Sequence, residues 1–281
     1  MASNTASITS LSNSILASTI TGTIALGNGG TGQTTIAGIQ SALGLAGINV
    51  AIGASAGTIS QGDRAIAIGS NAGTNTQSAS GIAVGYGAGE YTQGAGAMAY
   101  GYHAGQISQG MNAIAIGSNA GQENQSSYAV AIGETTGKIN QGILAVAIGA
   151  GSGNSNQGFT SLAIGNNAGY SSQGTSAIAL GFNAGQTSQL DQSVAIGTNA
   201  GKVNQKEYSV AVGNNAGNIS QNSNSVAIGN GAGYNTQGIG STSSGGGSVA
   251  IGANAGNQLQ AIGAVAIGAS AGQNDQKEYA V

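Results

Sequence analysis

A glycine closes a short apolar run every 16 residues, from Gly53, Gly69 and Gly85 through to Gly229, without a slip. One step of 23 then leads to Gly252, and another 16 to Gly268. A fixed period this short means that each unit is one copy stacked on its neighbour. No other feature limits the fold so tightly, because it leaves only a solenoid.

Within a unit the run Ala113–Gly117 alternates small and large residues with period two, the pattern of a strand with one packed face. The large residues make two columns, one from Ile66 and Ile82 to Val265, the other from Ile68 and Val84 to Ile267. Both are expected to point into the coil, each branched side chain resting on its copies above and below. Between them stands Ala in every unit, from Ala67 to Ala266, which must face the opposite way. A solvent-facing column would drift, so a constant methyl marks a close approach there.

A second glycine follows four residues after the first in every unit, from Gly57 to Gly272, where positive φ or close backbone approach suits a bend. Four residues further on stands a glutamine: Gln61, Gln77, Gln93, Gln109, Gln125, Gln141, Gln157, Gln173, Gln189, Gln205, Gln221, Gln237, Gln260 and Gln276. Stacked one strand spacing apart, these amides are predicted to form a hydrogen-bonded ladder. Each coil thus has two short strands and two bends. The fold class is all-β, a parallel β-roll or β-solenoid of fourteen 16-residue coils over residues 51–281. Residues 238–247 form a surface loop inserted at one bend, and the last coil is incomplete.

Residues 1–50 break the pattern and read as an attachment and trimerisation segment outside the solenoid. Ile8, Leu11, Ile15 and Leu16 lie near helical spacing, and Gly27–Thr35 reads as a loop before a short helix at Ile36–Leu45. Two aliphatic side chains per coil offset little of the entropy of ordering 16 residues. Burial of the Ala face or the Gln face against neighbouring chains would supply the remainder, which favours a side-by-side homotrimer.

The 281 residues include 53 Gly but no Cys, Pro or Trp, and the formal net charge is -3. No basic patch suits nucleic acid, and no polybasic stretch suits a membrane surface. No run nears the ~18 apolar residues of a membrane span, and Met1–Ile20 lacks the basic residues and apolar core of a secretory signal.

Motifs that carry chemistry are few. Gly27–Gly32 fits G-x-G-x-x-G, yet the acid that should follow about 20 residues on is missing, and Gln33 replaces the lysine of a phosphate loop. Asp191 and Glu207 share one phase in consecutive coils, a spacing open to a glycosidase pair. Their column also holds Met111, Ile143, Phe159 and Thr175, which reads as an unconstrained surface bend. His103 has no Cys or second His to build a metal site. No enzyme activity, cofactor or metal is expected. Aromatic residues mark some bends: Tyr86, Tyr102 and Phe182 just after the first glycine, Tyr170 and Tyr234 just after the second. They suit stacking on sugar faces or packing on a neighbouring chain.

The motif Ser-Val-Ala-Ile-Gly at Ser193–Gly197, Ser225–Gly229 and Ser248–Gly252 resembles the head repeat of trimeric autotransporter adhesins, although the 16-residue period is longer than usual for that family. The resemblance implies a parallel β-roll with three chains side by side and the Val and Ile inside. Gly27–Leu45 is similar to a stretch found in the fibres of phages and large DNA viruses. Together these resemblances imply a trimeric tail or capsid fibre of a virion. The N-terminal segment would be held by a virion attachment protein and the roll would act as a rigid spacer that meets a host-surface glycan. The alternative is a glycan-binding adhesin head of a bacterial surface. A third reading, an ice-binding solenoid, draws on a flat Ala column.

Overall fold

The computed structural model describes residues 49–239 and 247–281, and Asn49–Val281 forms one compact unit. Among the described residues there is no helix. Two parallel sheets line the solenoid. One has fourteen strands, from Val50–Ile52 to Val265–Ile267, and carries the Val/Ile columns. The other has thirteen, from Ile59–Gln61 to Gln258–Ala261, and ends in the glutamines. In the next coil Asn274 continues the second sheet as a single bridge to Gln258. The expected N-terminal helices and loop lie outside the described residues.

Register follows the sequence period. Val130, Ala131 and Ile132 pair with Val146, Ala147 and Ile148. Across the insertion Val226 pairs with Val249, so register resumes after the longer step. Pairing also continues through the bends. Ile116, at the end of one strand, accepts from the amide of Gly133, Tyr102 accepts from Asn119, and Met111 accepts from Tyr128, at 2.8 to 2.9 Å. Nearly the whole perimeter of a coil is therefore hydrogen-bonded to the coils above and below, which satisfies the backbone of the bends as well as that of the strands.

A perimeter of 16 residues closes only by turning sharply. Each regular coil spends five residues at positive φ, as Gly117 (126°), Asn119 (54°), Gly121 (52°), Asn124 (55°) and Tyr128 (61°) show. The two glycine columns answer separate demands. At Gly165 (φ 124°) a Cβ would come within 2.7 Å of the carbonyl oxygen of Gly181 one coil on. At Gly137 (φ 51°) it would come within 2.7 Å of Gln141 Oε1 in the same coil. The first column lets coils stack, and the second lets the glutamine fill the interior.

The side chains point the other way from the expectation. Ala67, Ala83, Ala99 and their copies are fully buried, as is the Ala of the bend, from Ala72 to Ala255 where it is Ala. Ile52, Ile68, Ile148, Leu180, Ile228 and Ile267 are instead 36 to 66% exposed. The Val/Ile columns stand on the outside of the coil. The reason is volume. A coil this tight has a lumen that one glutamine spans, and its remaining space admits only methyl groups and hydroxyls. Where Ser replaces Ala inside, its hydroxyl is bonded locally, as Ser193 to the Leu190 carbonyl (2.6 Å) and Ser209 to that of Lys206 (2.6 Å). The Ala column that would offer a flat surface to ice is inside, and so are the Ala and Gln faces expected to meet neighbouring chains.

Candidate interaction surfaces

The glutamine ladder is complete. Each Nε2 donates to the Oε1 of the next coil, from Gln61 to Gln276, at 3.0 to 3.2 Å. The bond from Gln237 to Gln260 carries it across the insertion at 3.2 Å. Each amide also braces the lumen. Gln141 Nε2 lies 2.7 Å from the carbonyl of Val130 in its own coil and 3.3 Å from that of Ala145 in the next. One side chain thereby ties the two sheets and two coils together. The task needs both a donor and an acceptor on a stem long enough to cross, which only glutamine offers without charge.

Outside, the two Val/Ile columns run along one sheet for thirteen coil steps, about 60 Å at ~4.8 Å each. A soluble monomer rarely leaves so long an apolar strip uncovered. Met98 and Tyr100 interrupt it at one level, with Tyr100 58% exposed.

Of the bend aromatics, the structure brings two together. Tyr86 and Tyr102 stack in successive coils with centroids 5.5 Å apart and planes 12° apart, and His103 lies 4.1 Å from Tyr102 and 5.4 Å from Tyr86. Each tyrosine ring thus covers one face of the other. His103 Nε2 is enclosed without a hydrogen-bond partner. Phe182, Tyr170 and Tyr234 are 50, 40 and 36% exposed and stand coils apart from this group. On the glutamine sheet, the neighbouring Glu90 carboxylate holds the Tyr91 phenol above its ordinary pKa by hydrogen bonding and charge.

Asp191 and Glu207 engage different neighbours. Asp191 Oδ1 accepts from the Thr175 amide at 2.8 Å, one coil below, and Glu207 Oε2 accepts from the Ser223 hydroxyl at 2.9 Å, one coil above. Among the described residues no three His, Cys, Asp or Glu side chains gather as a metal site would require, and no helix is long and apolar enough to cross a membrane.

Sequence reasoning missed two surfaces. The outward Val/Ile strip escaped because alternation says which residues share a face and not which face is interior. A cluster of large apolar residues at the bend after the glutamines, Met111, Tyr128, Ile143, Leu144 and Phe159, is 43 to 50% exposed. In the sequence Met111, Ile143 and Phe159 read only as an unconstrained bend, although they fall in a run of adjacent coils whose counterparts elsewhere are mostly small or polar.

A family model described as the YadA head domain repeat matches the chain in two copies over residues 237–255. The match contains the Ser-Val-Ala-Ile-Gly motif at Ser248–Gly252. No curated protein and no solved structure matches the chain.

Proposed function

We propose that the chain is an adhesin-like fibre module in which three copies lie side by side, joined through their Val/Ile sheets and displayed at a cell surface as a stiff projecting shaft. The observation that carries this reading is the outward Val/Ile strip. The lumen is already filled by Ala and Gln, so the strip has no use inside its own coil. A long, flat and regular strip suits copies of itself, since every coil presents the same two side chains at the same height. The YadA head repeat match supports the same architecture. Rigidity is the mechanism: coil-to-coil pairing and the glutamine ladder resist bending, and the bends, including Phe182, Tyr170 and Tyr234, face outward for a host-surface glycan.

Light scattering after size exclusion tests the assembly. Three chain masses are expected, and Ile164→Asp should yield a single chain that keeps its β spectrum. A wild-type monomer at micromolar concentration would refute the reading.

A second reading keeps the shaft and changes its anchor. The similarity of Gly27–Leu45 to viral fibre segments favours residues 1–50 as the part held by a virion protein. Co-sedimentation with intact particles, lost on deleting those residues, separates the two anchors.

A further inference from the structure

A repeating interface selects repeating residues, so exceptions that cluster in adjacent coils need a local cause. Such a run lies at the bend between each glutamine and the next Val/Ile strand. Elsewhere this bend carries mostly small or polar pairs, as in Ala79-Ser80, Thr175-Ser176 and Asp191-Gln192, with Tyr208 and Tyr279 as isolated exposed exceptions and Ile262 a buried one. From Met111 to Phe159 it instead carries the exposed apolar side chains described above. The backbone gives no reason for them. Tyr128 (φ 61°) and Leu144 (φ 59°) occupy a left-handed conformation that favours Gly or Asn, and they gain little burial in return.

Beside this seam is a groove of about 320 Å³ whose lining includes Ser108, Gly110, Asn124, Ser126, Ser127 and Ile143. Its floor holds the open end of a second amide ladder. Asn124 Nδ2 donates to Asn140 Oδ1 and Asn140 Nδ2 to Asn156 Oδ1, both at 3.0 Å. Asn124 Oδ1 heads that chain as a polarised acceptor with no donor of its own among the described residues. The Ser108 and Ser126 hydroxyls likewise have no partner among the described residues. No charged side chain lines the groove.

We propose that this bend is a binding site for a neutral oligosaccharide. Sugars present apolar C–H faces beside closely set hydroxyls and carry no charge. Ile143 in the groove, with Tyr128 and Phe159 exposed on the same run of bends, offers apolar surface, and Asn124, Ser108 and Ser126 offer the hydrogen bonds. A second copy of the chain explains the seam less well, because packing through the Val/Ile sheets recurs at every coil whereas the unbroken run of apolar bends ends within four. The site rests on the adhesin-like reading only in requiring that this bend stay open in the assembly.

The test is titration calorimetry of the full chain with short neutral oligosaccharides of glucose, galactose and N-acetylglucosamine, with the oligomer mass recorded for each variant. The wild type should bind at least one of them. Asn124→Ser, and the double change Ile143→Thr with Phe159→Thr, should each weaken binding by about tenfold at unchanged mass. Both use residues that the same columns carry in other coils. Leu259→Ser, eight coils from Asn124 and 44% exposed, should bind as the wild type does. Binding of none of these sugars, or binding indifferent to the first two variants, overturns the site. A change of oligomer mass in the double variant also overturns it, by assigning the seam to chain contact. Sugar binding by a protein that proves monomeric leaves the site standing and removes the trimer.

Discussion

The lumen and the outer face of the Val/Ile sheet use opposite chemistry for similar ends. Inside, where water is excluded, stand glutamine amides and methyl groups. Outside, where water is available, stand the largest regular file of branched aliphatics in the chain. The difference shows that hydrophobicity alone did not decide which residues went in. Space did: the coil encloses too little volume for two branched side chains, whereas an extended amide fits and satisfies itself through its copies. The aliphatics that cannot enter stand outside as a long apolar strip.

The sharpest way to break this contrast is to put charge in the ladder. Gln141→Glu keeps the shape but sets a carboxylate against the Val130 and Ala145 carbonyls and Gln157 Oε1. We expect a loss of about 3 kcal/mol or more at neutral pH in urea unfolding. Burial among acceptors raises the folded-state pKa of this carboxyl above its unfolded value near ~4.3. The native state then holds its proton more tightly, so stability returns below that pH and falls as pH rises through the folded pKa.

Next comes the glycine beside the same amide. Gly137→Ala, with φ at 51° and a Cβ 2.7 Å from Gln141 Oε1, should lose about 2 to 3 kcal/mol in the same assay. Filling the lumen is slightly milder. Ala147→Val enlarges a fully buried methyl position and should lose about 1 to 3 kcal/mol. Were it tolerated without loss, the volume argument would fall.

The smallest effect on the coil itself belongs outside. Ile164→Ser should change the unfolding of an isolated coil stack by less than ~0.5 kcal/mol while lowering the oligomer mass seen by light scattering. Equal damage from Ile164→Ser and Ala147→Val would erase the distinction between the two faces.

Much of this architecture was legible in the residues. The period located every coil, alternation located the Val/Ile strands, and the unbroken glutamine column announced a ladder that the structure contains. The constant Ala was rightly taken to mark a close approach, but on the wrong side of the wall. Alternation is symmetric under exchange of faces, and the usual preference for burying Val and Ile tipped the choice. The five left-handed residues per coil were legible only in part. Glycine and asparagine announce such positions, whereas Thr76, Thr92 and Thr236 at φ 49 to 57° give no such sign. Those turns set the small lumen, so the side that faces inward stayed hidden with them. Stacking of Tyr86 on Tyr102 follows from the period once both share a column. The groove beside Asn124 depends on side-chain directions that a sequence does not show.

The hydrogen bonds between coils all run along the shaft, and this orientation decides how it yields under load. Traction on the two chain ends opens one turn at a time, like paper peeled from a roll, because the outermost turn bears the force while those beneath stay closed. Each turn frees 16 residues, roughly 50 Å of extended chain. A stack pulled from its ends therefore lengthens in even increments at modest tension.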